Sequence, residues 1–350
     1  MIGVPEIDFI TRESYPLGSK NKKEGNNMSL LKEINIFEIE GFHVGNGEYR
    51  DGATGCTVFL PDQKACCGLD IRGGAPASRE SGLLNPLAAN DGVHAVVLSG
   101  GSAYGLDCAS GVMKYLEEKG VGFPVGNNVV VPIVCASCIL DLGLVDAYTR
   151  PDKELGYKTC LNAEKNNYQD GNYGAGTGAT CGKFLGPNYM MKSGIGSCAY
   201  QLGGLKVGAI VCTNCAGDIY DDELHQKIAG AYDANAKTFL DSEDALYSMQ
   251  MQAKEGMNTT IGIIFTNAKF NKTELTKIAG FGHDGMARAI KPIHTMFDGD
   301  SLYALSLGDV KADINVVGTI ASKAVAKAIA NSAYSSKEEF GLLSAQSLRK

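Results

Sequence analysis

The stretch that decides the fold is EGMNTTIGIIFTNA, residues 255–268. An Asn-Thr-Thr junction at 258–260 stands directly in front of an apolar, β-branched run of the kind that forms buried strands. A strand over 261–266 would begin just after the junction and would hold it rigidly in a cleft. The start of this strand is therefore a candidate location for chemistry.

The flanking sequence predicts strands and helices in alternation. Short apolar segments between glycines predict further strands, at 55–60, 64–71, 93–99, 205–214 and 301–308. Segments with helical spacing of apolar residues predict helices, at 104–120, 271–290 and 312–336. Asn271 is placed to cap the second of these helices. Interleaved strands and helices indicate a layered α/β or α+β fold in which helices cover the sheets.

Composition and charge narrow the classes of function. The chain has 350 residues, 44% hydrophobic and 20% charged, which is ordinary for a globular protein. A formal net charge of −7 gives no support for a basic face that would bind nucleic acid or an acidic membrane, and no apolar run is long enough to span a bilayer. We expect residues 1–30 to be a disordered extension, added by cloning or lying upstream of a true start at Met28. Eleven cysteines without an export signal indicate reduced thiols in the cytoplasm.

Two CxxC pairs, Cys135/Cys138 and Cys212/Cys215, are candidate zinc ligands. Both pairs lie in apolar stretches that read as strands. Residues three apart on a strand point to opposite faces. The pattern therefore favours buried free thiols, with a zinc site as the alternative.

Thr259 is the candidate nucleophile. A threonine hydroxyl is weak at its free pKa and needs a base, and no Ser-His-Asp arrangement is evident in the sequence. A threonine at a chain terminus supplies its own base, because an α-amine has an ordinary pKa of about 7.7–8.0. Such a terminus arises if the hydroxyl attacks the Asn258 carbonyl, the acyl group shifts from nitrogen to oxygen, and water releases the ester. On the tripeptide alone, the alternative that these residues only begin a strand stays open.

The chain resembles the DmpA-type aminopeptidase family, which includes D-stereospecific and β-peptidyl aminopeptidases, and within it the nylon-oligomer hydrolase branch. The resemblance covers about residues 35–335. It rests on eight ordered blocks: TGCTV (54–58), DIRGGAPASRE (70–80), HAVVLSGGSAYGLD (94–107), YTRPDKELGY (148–157), GNYGAGTGATCGK (171–183), VGAIVCTNCAGDI (207–219), NTTIGIIFTNA (258–268) and HDGMARAIKPIHTMFDGDSLYAL (283–305).

The resemblance implies a cut between Asn258 and Thr259 that leaves two associated chains. Thr259 would then be the nucleophile and, through its amine, the base. The resemblance further implies roles for four side chains. Two carboxylates in FDGD would orient the nucleophile and amine by charge-assisted hydrogen bonds, a lysine would lie beside the nucleophile, and an asparagine amide would stabilise the oxyanion: Asp298, Asp300, Lys183 and Asn214.

One position departs from the family pattern. The related enzymes carry a tyrosine near the active site where this chain has Leu140. Either Tyr104 or a backbone N–H supplies the missing donor, or the substrate differs, so Leu140 and Tyr104 are candidate substrate-binding positions. His294, close to FDGD, is expected to be a structural hydrogen-bonding residue.

By resemblance we expect an α+β fold, a four-layer α/β/β/α sandwich shared with ornithine acetyltransferases, in which residues 31–350 form a single hydrolase domain. The expected reaction is amide hydrolysis through an acyl-enzyme on Thr259, without metal or organic cofactor. Short peptides, amino-acid amides and ω-amino amide oligomers are the candidate substrates, and the cleaved heterodimers are expected to assemble into a homo-oligomer, a tetramer. Two alternatives remain: an acyltransferase of the ornithine acetyltransferase type using the same acyl-enzyme, and a non-catalytic protein that binds zinc.

Overall fold

The computed structural model describes residues 30–248 and 258–349. In chain order its strands are β1 (Lys32–Ile34), β2 (Phe42–Tyr49), β3 (Thr54–Pro61), β4 (Ala65–Ile71), β5 (Ser78–Arg79), β6 (Gly92–Val93), β7 (Ala95–Ser99), β8 (Phe123–Gly126), β9 (Val129–Val131), β10 (Val134–Cys138), β11 (Thr180–Cys181), β12 (Met191–Lys192), β13 (Ile195–Leu202), β14 (Leu205–Asn214), β15 (Asp218–Asp221), β16 (Gln226–Ala229), β17 (Tyr232–Asp233), β18 (Thr238–Phe239), β19 (Thr259–Ala268), β20 (Ile290–Lys291) and β21 (Ser301–Val310). Its helices are α1 (Cys108–Glu118), α2 (Lys153–Ala163), α3 (Ser242–Ser248), α4 (Lys272–Ala289), α5 (Ile314–Tyr334) and α6 (Ala345–Leu348).

Two sheets carry the architecture. A seven-stranded sheet has the order β1-β13-β14-β19-β21-β4-β6, and a five-stranded sheet has the order β2-β3-β7-β10-β5. The strand that begins at Thr259, β19, is the middle strand of the larger sheet, antiparallel to β14 and parallel to β21. The junction singled out in the sequence therefore lies at the end of a central strand.

Three apolar cores separate four layers. Alternate residues of β19 show the division: Ile261, Ile263 and Phe265 pack between the two sheets, whereas Ile264 packs against α4 and α5 on the outer face. The rings of Phe59 and Phe265, one from each sheet, lie 5.2 Å apart in the inter-sheet core. The smaller sheet is covered on its other side by α1 and α2. This arrangement confirms the predicted α+β sandwich of helix, sheet, sheet and helix layers.

Local sequence patterns located the central elements well. The predicted cap of α4 is present, since the Asn271 side chain accepts the Glu274 N–H at 3.0 Å and Glu274 accepts the Asn271 N–H at 2.9 Å. The central strand begins at Thr259 rather than at 261, because Thr259 and Thr260 already pair with β14. The helix predicted from 104 begins at Cys108, after a 3₁₀ turn over Ser102–Asp107.

Some expectations fall outside the described residues. The predicted extension lies there apart from Leu30, and so does the run 249–257 that leads into the junction, including Gly256. From Leu31 onward the described residues belong to one compact unit. None of the helices in 30–248 and 258–349 is both long and apolar enough to cross a membrane.

Candidate active site

The Asn258–Thr259 peptide is held at the end of the central strand by the loop that precedes β21. Thr259 is only 4% exposed, and its Oγ1 donates a hydrogen bond of 2.5 Å to the carbonyl oxygen of Asn258. The same carbonyl oxygen accepts the Gly299 N–H at 2.8 Å. The Asn258 N–H donates to the Phe297 carbonyl at 2.8 Å, which fixes the other side of that residue. The Thr259 hydroxyl thus lies against the Asn258 carbonyl, which is the group that a nucleophile must attack to cut the chain before Thr259.

The Gly299 N–H is placed as an electrophilic group for that carbonyl. A backbone donor aimed at a carbonyl oxygen stabilises the negative charge that develops there during attack. Position 299 also has little room for a side chain, since a Cβ would lie 2.9 Å from Thr259 Oγ1 and 2.8 Å from the Ala75 carbonyl oxygen. Glycine at this position therefore leaves space around the nucleophile.

The two predicted carboxylates lie on this same loop and are buried. Asp300 Oδ1 accepts the Thr260 N–H at 2.7 Å, one residue beyond the nucleophile. Asp298 Oδ2 accepts the Thr295 N–H at 2.7 Å and the Thr295 hydroxyl at 2.6 Å. The structure thus brings both carboxylates to the junction, and their predicted action on the Thr259 amine concerns a group that forms only after the cut.

Burial raises the pKa of Asp298 from its ordinary 3.8 to about 6, and the neighbouring charge of Asp300 acts in the same direction. Hydrogen bonds from Thr295 and the positive charge of Lys183 act in the opposite direction. Ionised Asp298 therefore lowers the free energy of unfolding of the uncut chain. This destabilisation is absent below about pH 4 and reaches its full size above the raised pKa.

We expect Asp298→Asn to stabilise the uncut chain at high pH. In a Thr259→Ala background the neutral amide removes the cost of the buried charge and keeps an acceptor for Thr295. A pKa raised by about two units corresponds to up to about 3 kcal/mol, so unfolding free energies should differ by about 1–3 kcal/mol at pH 8. The difference should vanish near pH 4. Urea titrations at the two pH values measure it, and equal stabilities at pH 8 would contradict the assignment.

The motif DIRGGAPASRE (70–80) is hydrogen-bonded to residues 298–300, called the acidic loop below. It acts as a clamp that holds this loop in place. The Ala75 N–H donates to the Asp298 carbonyl at 2.8 Å, and the Arg72 N–H donates to the Asp300 carbonyl at 3.0 Å. Gly73 lies between these two bonds. A Cβ there would meet the Asp298 carbonyl oxygen and the Asp300 nitrogen well inside van der Waals distance. Glycine is needed at position 73 because its backbone runs directly against the backbone of residues 298–300.

Gly73→Ala is therefore expected to displace the acidic loop. Backbone atoms cannot move aside as a flexible side chain can, so we expect a loss of about 2–4 kcal/mol in unfolding free energy, with loss of activity. Gly82→Ala is the matched control, because a Cβ at Gly82 meets nothing within 4 Å. That control should change stability by less than about 1 kcal/mol. A Gly73→Ala variant as stable and active as the control would contradict the clamp.

Lys183 and Asn214 lie on the β14 side of Thr259, opposite the loop that precedes β21. Asn214 is the last residue of β14 and stands directly across the ladder from Thr259. Lys183 Nζ donates to Asn214 Oδ1 at 2.6 Å and to its carbonyl oxygen at 3.1 Å. Burial lowers the pKa of Lys183 from 10.5 to about 8, which leaves the ammonium mostly protonated at pH 7. A cation is thus bound to the residue that faces Thr259 across the ladder, and its role beside the nucleophile stays a prediction.

The side-chain amide of Asn214 has a fixed orientation. Its Oδ1 accepts both the Lys183 ammonium and the Thr180 N–H, the latter at 3.0 Å, so its Nδ2 must point the other way. There Nδ2 donates to the Leu140 carbonyl at 3.0 Å. In the uncut chain this amide therefore bonds to Leu140, and the predicted oxyanion role remains a prediction for the cleaved enzyme.

The two candidate substrate-binding positions differ in placement. Leu140 is half-buried and reaches the site through its backbone carbonyl. Tyr104 is 60% exposed, and the Arg150 guanidinium lies 3.6 Å from the centre of its ring. Tyr104 is therefore a group of the outer surface, stacked on a cation, in this structure.

Sequence reasoning missed Asp141, a buried acid beside Leu140. Its two oxygens accept the Gly101 N–H at 2.6 Å and the Thr54 hydroxyl at 2.7 Å. Burial raises its pKa to about 6. An acidic residue inside the apolar run 129–145 was the available signal, since buried carboxylates usually have a structural or functional partner.

The CxxC pairs do not form one ligand set. Cys135 and Cys212 pack in the inter-sheet core, whereas Cys215 packs on the helix side of the larger sheet. All eleven cysteines lie in the described part of the chain and are free thiols. Across 30–248 and 258–349, no group of three or more His, Cys, Asp or Glu side chains is arranged to hold a metal ion.

Comparisons with known proteins identify the family of the chain. Residues 35–343 match the model of peptidase family S58. An uncharacterized aminopeptidase of Mycobacterium leprae is 35% identical over 295 residues, covering 79% of each chain. A 6-aminohexanoate-oligomer endohydrolase of Agromyces sp. is 31% identical over 289 residues, 81% of this chain and 77% of the relative.

Solved structures show the same fold at low identity. A beta-aminopeptidase of Burkholderia sp. has a TM-score of 0.64 at 17% identity and covers 89% of this chain and 91% of its own. The L-aminopeptidase D-Ala-esterase/amidase of Ochrobactrum anthropi, described as a variant of the Ntn hydrolase fold, has a TM-score of 0.63 at 16% identity and covers 89% and 90%.

Proposed function

The chain belongs to peptidase family S58 and is an amide hydrolase of the N-terminal-nucleophile type, and we propose that it cuts itself between Asn258 and Thr259 to form its active site. One observation carries the proposal. The Thr259 hydroxyl is 2.5 Å from the Asn258 carbonyl oxygen, which the Gly299 N–H also binds at 2.8 Å. Nucleophile, carbonyl and electrophilic donor are thus together before any cut.

The self-cleavage follows from these contacts. Thr259 Oγ1 forms a bond to the Asn258 carbonyl carbon while Gly299 stabilises the oxygen that becomes negative. The C–N bond then breaks, the nitrogen takes the hydroxyl proton, and an ester joins the two residues. Water hydrolyses the ester, leaving a carboxylate on Asn258 and a free amine on Thr259.

The same hydroxyl then acts on substrates. The new α-amine accepts the Oγ1 proton as Oγ1 attacks a substrate amide carbon, and the departing amine takes that proton. Water resolves the acyl-enzyme. Lys183 supports this step electrostatically, because a nearby positive charge disfavours a second cation on the α-amine and so keeps the base neutral.

We propose substrates that carry a free amine near the scissile bond: short peptides, amino-acid amides and ω-amino amide oligomers. Asp298 supports this class, since a buried carboxylate attracts a cationic amine. The name aminopeptidase points to a free amine beside the scissile bond, and the name 6-aminohexanoate-oligomer endohydrolase points to ω-amino amide oligomers.

A substrate panel tests the proposed activity. Wild type and Thr259→Ala are assayed on an α-amino-acid anilide, a β-alanine anilide and a linear 6-aminohexanoate trimer, each also in an N-acetylated form. Hydrolysis of at least one free-amine substrate by wild type, with the acetylated form at least about tenfold poorer, is expected. Equal rates on blocked and free substrates would contradict amine recognition. Adding ornithine or glutamate to the assay shows whether an amine rather than water resolves the acyl-enzyme.

We further propose a cytoplasmic homo-oligomer. The eleven free thiols fit a reducing compartment. The β8–β9 hairpin supports assembly, because its apolar side chains are exposed: Phe123, Val125, Val129 and Val131. Light scattering during size exclusion is expected to give a tetramer of cleaved chains, and a mass corresponding to one copy would contradict it.

A further inference from the structure

Two histidines form a hydrogen-bonded chain behind the acidic loop, and the mechanism above does not use them. His294 Nδ1 lies 2.8 Å from Asp300 Oδ2, and His294 Nε2 lies 3.3 Å from His283 Nδ1. His283 Nε2 lies 3.0 Å from the carbonyl oxygen of Asp70. The chain therefore runs from an active-site carboxylate, through two imidazoles, to the backbone of β4.

The far end of this chain fixes the positions of the protons. A carbonyl oxygen only accepts, so His283 Nε2 carries the hydrogen that bonds Asp70. Burial lowers the pKa of His283 to about 4, so its Nδ1 is unprotonated near neutral pH and can only accept. His294 Nε2 must then donate to His283 Nδ1. The His283 tautomer thus determines the orientation of His294.

The near end then has two possible states. With Nε2 of His294 protonated, either Nδ1 is protonated too and an imidazolium faces a carboxylate, or Asp300 holds the proton. Both states share one proton and carry no net charge. The Thr260 N–H that donates to Asp300 Oδ1 at 2.7 Å favours the imidazolium–carboxylate state, because hydrogen bonds to an ionised acceptor are stronger.

The backbone of His294 adds a second contact to Asp300. Its φ is +58°, in the left-handed region that glycine and asparagine adopt more easily. In this conformation the His294 N–H also donates to Asp300 Oδ2, at 3.2 Å. Backbone and ring therefore bind the same carboxylate oxygen.

We propose that His294, oriented by His283, is a positioning residue that offsets the charge of Asp300 and so keeps Asp298 ionised at the pH at which the enzyme works. The inference rests on the proposed function, in which the two carboxylates orient Thr259. Other charged groups near these two histidines are an aspartate of β4, the arginine just after β4 that pairs with it, an aspartate of α4, and the lysine bonded to Asn214: Asp70, Arg72, Asp284 and Lys183.

The pH dependence of His294→Asn separates this role from a structural one. Asparagine suits the left-handed backbone and keeps a neutral donor toward Asp300, so mainly the positive charge is lost. His225→Asn is the matched control, since His225 is exposed and has a φ of +52°. We measure kcat/KM on a free-amine anilide from pH 5 to 9, for each variant per mole of cleaved chain.

Without the offsetting charge, Asp300 is expected to raise the pKa of Asp298 more than it does in wild type. The acid limb of His294→Asn should move up by about one pH unit, which is about a fivefold loss at pH 6, nearly tenfold at pH 5, and less than about twofold at pH 8. His225→Asn should follow wild type. A His294→Asn profile lowered by one constant factor at every pH, or unchanged, would overturn the proposal.

A second measurement does not depend on turnover. In ¹⁵N-histidine-labelled Thr259→Ala protein, which has five histidines, ring ¹⁵N shifts report tautomers directly, and His283→Asn and His294→Asn identify the two signals. We expect neutral His283 with its proton on Nε2 from pH 5.5 to 8, and His294 protonated on both nitrogens. A His283 proton on Nδ1, or an unprotonated His294 Nε2, would contradict the proposed series of hydrogen bonds from Asp300 to Asp70. Because this NMR measurement needs no cleavage, it tests the arrangement of the two histidines even if the proposed self-cleavage and hydrolysis fail.

Discussion

Thr259→Ala is expected to abolish both self-cleavage and amide hydrolysis. The substitution removes the hydroxyl that the structure places 2.5 Å from the Asn258 carbonyl oxygen. Without the cut there is no α-amine, so nucleophile and base are lost together. We expect kcat/KM to fall by at least about 10⁴-fold, to the level of the assay background.

Thr259→Ser is the matched comparison. It keeps the hydroxyl and, after cleavage, the amine, and it loses only a methyl group. Self-cleavage and activity should persist, within about 100-fold of wild type. Appreciable hydrolysis by uncut Thr259→Ala, or an uncut and inactive Thr259→Ser, would show that the Thr259 hydroxyl is not the group that matters.

Lys183→Met is expected to give the second largest effect, and one that depends on pH. The ammonium is held by Asn214, the residue across the ladder from Thr259, where side chains lie about 5 Å apart. In the proposed cleaved enzyme, this charge is expected to lower the pKa of the Thr259 α-amine relative to the same site without the lysine. Methionine fills similar space without charge, so the amine becomes more protonated and a weaker base near neutral pH. We expect about a 100-fold loss in kcat/KM at pH 7 and partial recovery at pH 9.

The measurement is a pH–rate profile normalised to cleaved chain, so that slower self-cleavage is not counted as slower turnover. Lys165→Met, at an exposed position, is the control for losing a lysine elsewhere and should match wild type. A Lys183→Met profile with the wild-type midpoint would mean that the lysine does not act on the amine.

Local patterning accounts for the parts of the fold that the sequence predicted. β14 has the predicted bounds, and α4 begins after its predicted cap, because apolar periodicity and capping depend on residues close in the chain. Thr259 became the candidate nucleophile because its junction and its strand are contiguous, and the family resemblance strengthened that hypothesis. Family resemblance, rather than patterning, identified Asp298, Asp300, Lys183 and Asn214, which the structure brings around that strand.

The parts that sequence reasoning missed depend on contacts between distant segments. Gly73 is constrained by the backbone of 298–300, more than 220 residues later, and no pattern around Gly73 reveals that approach. His283 and His294 read as isolated histidines, since their link requires α4 to pack beside the acidic loop. Asp141 likewise gains its partners from two other segments.

The contacts around Asn258 are consistent with one group of residues performing both proposed reactions. Gly299 and the Thr259 hydroxyl bind the chain's own carbonyl oxygen at Asn258. Under the proposed self-cleavage, departure of the Asn258 carboxylate frees that position for a substrate carbonyl, so the first substrate of the site is its own backbone.

The most direct test is the intact mass of the purified wild-type chain under denaturing conditions, with N-terminal sequencing of each species. Scaling 36.9 kDa by 258 and by 92 of 350 residues gives roughly 27 and 10 kDa for the two products. The account predicts these two species, with Thr259 at the start of the smaller one. A single species of 36.9 kDa after prolonged incubation would contradict it, because the α-amine base would never form.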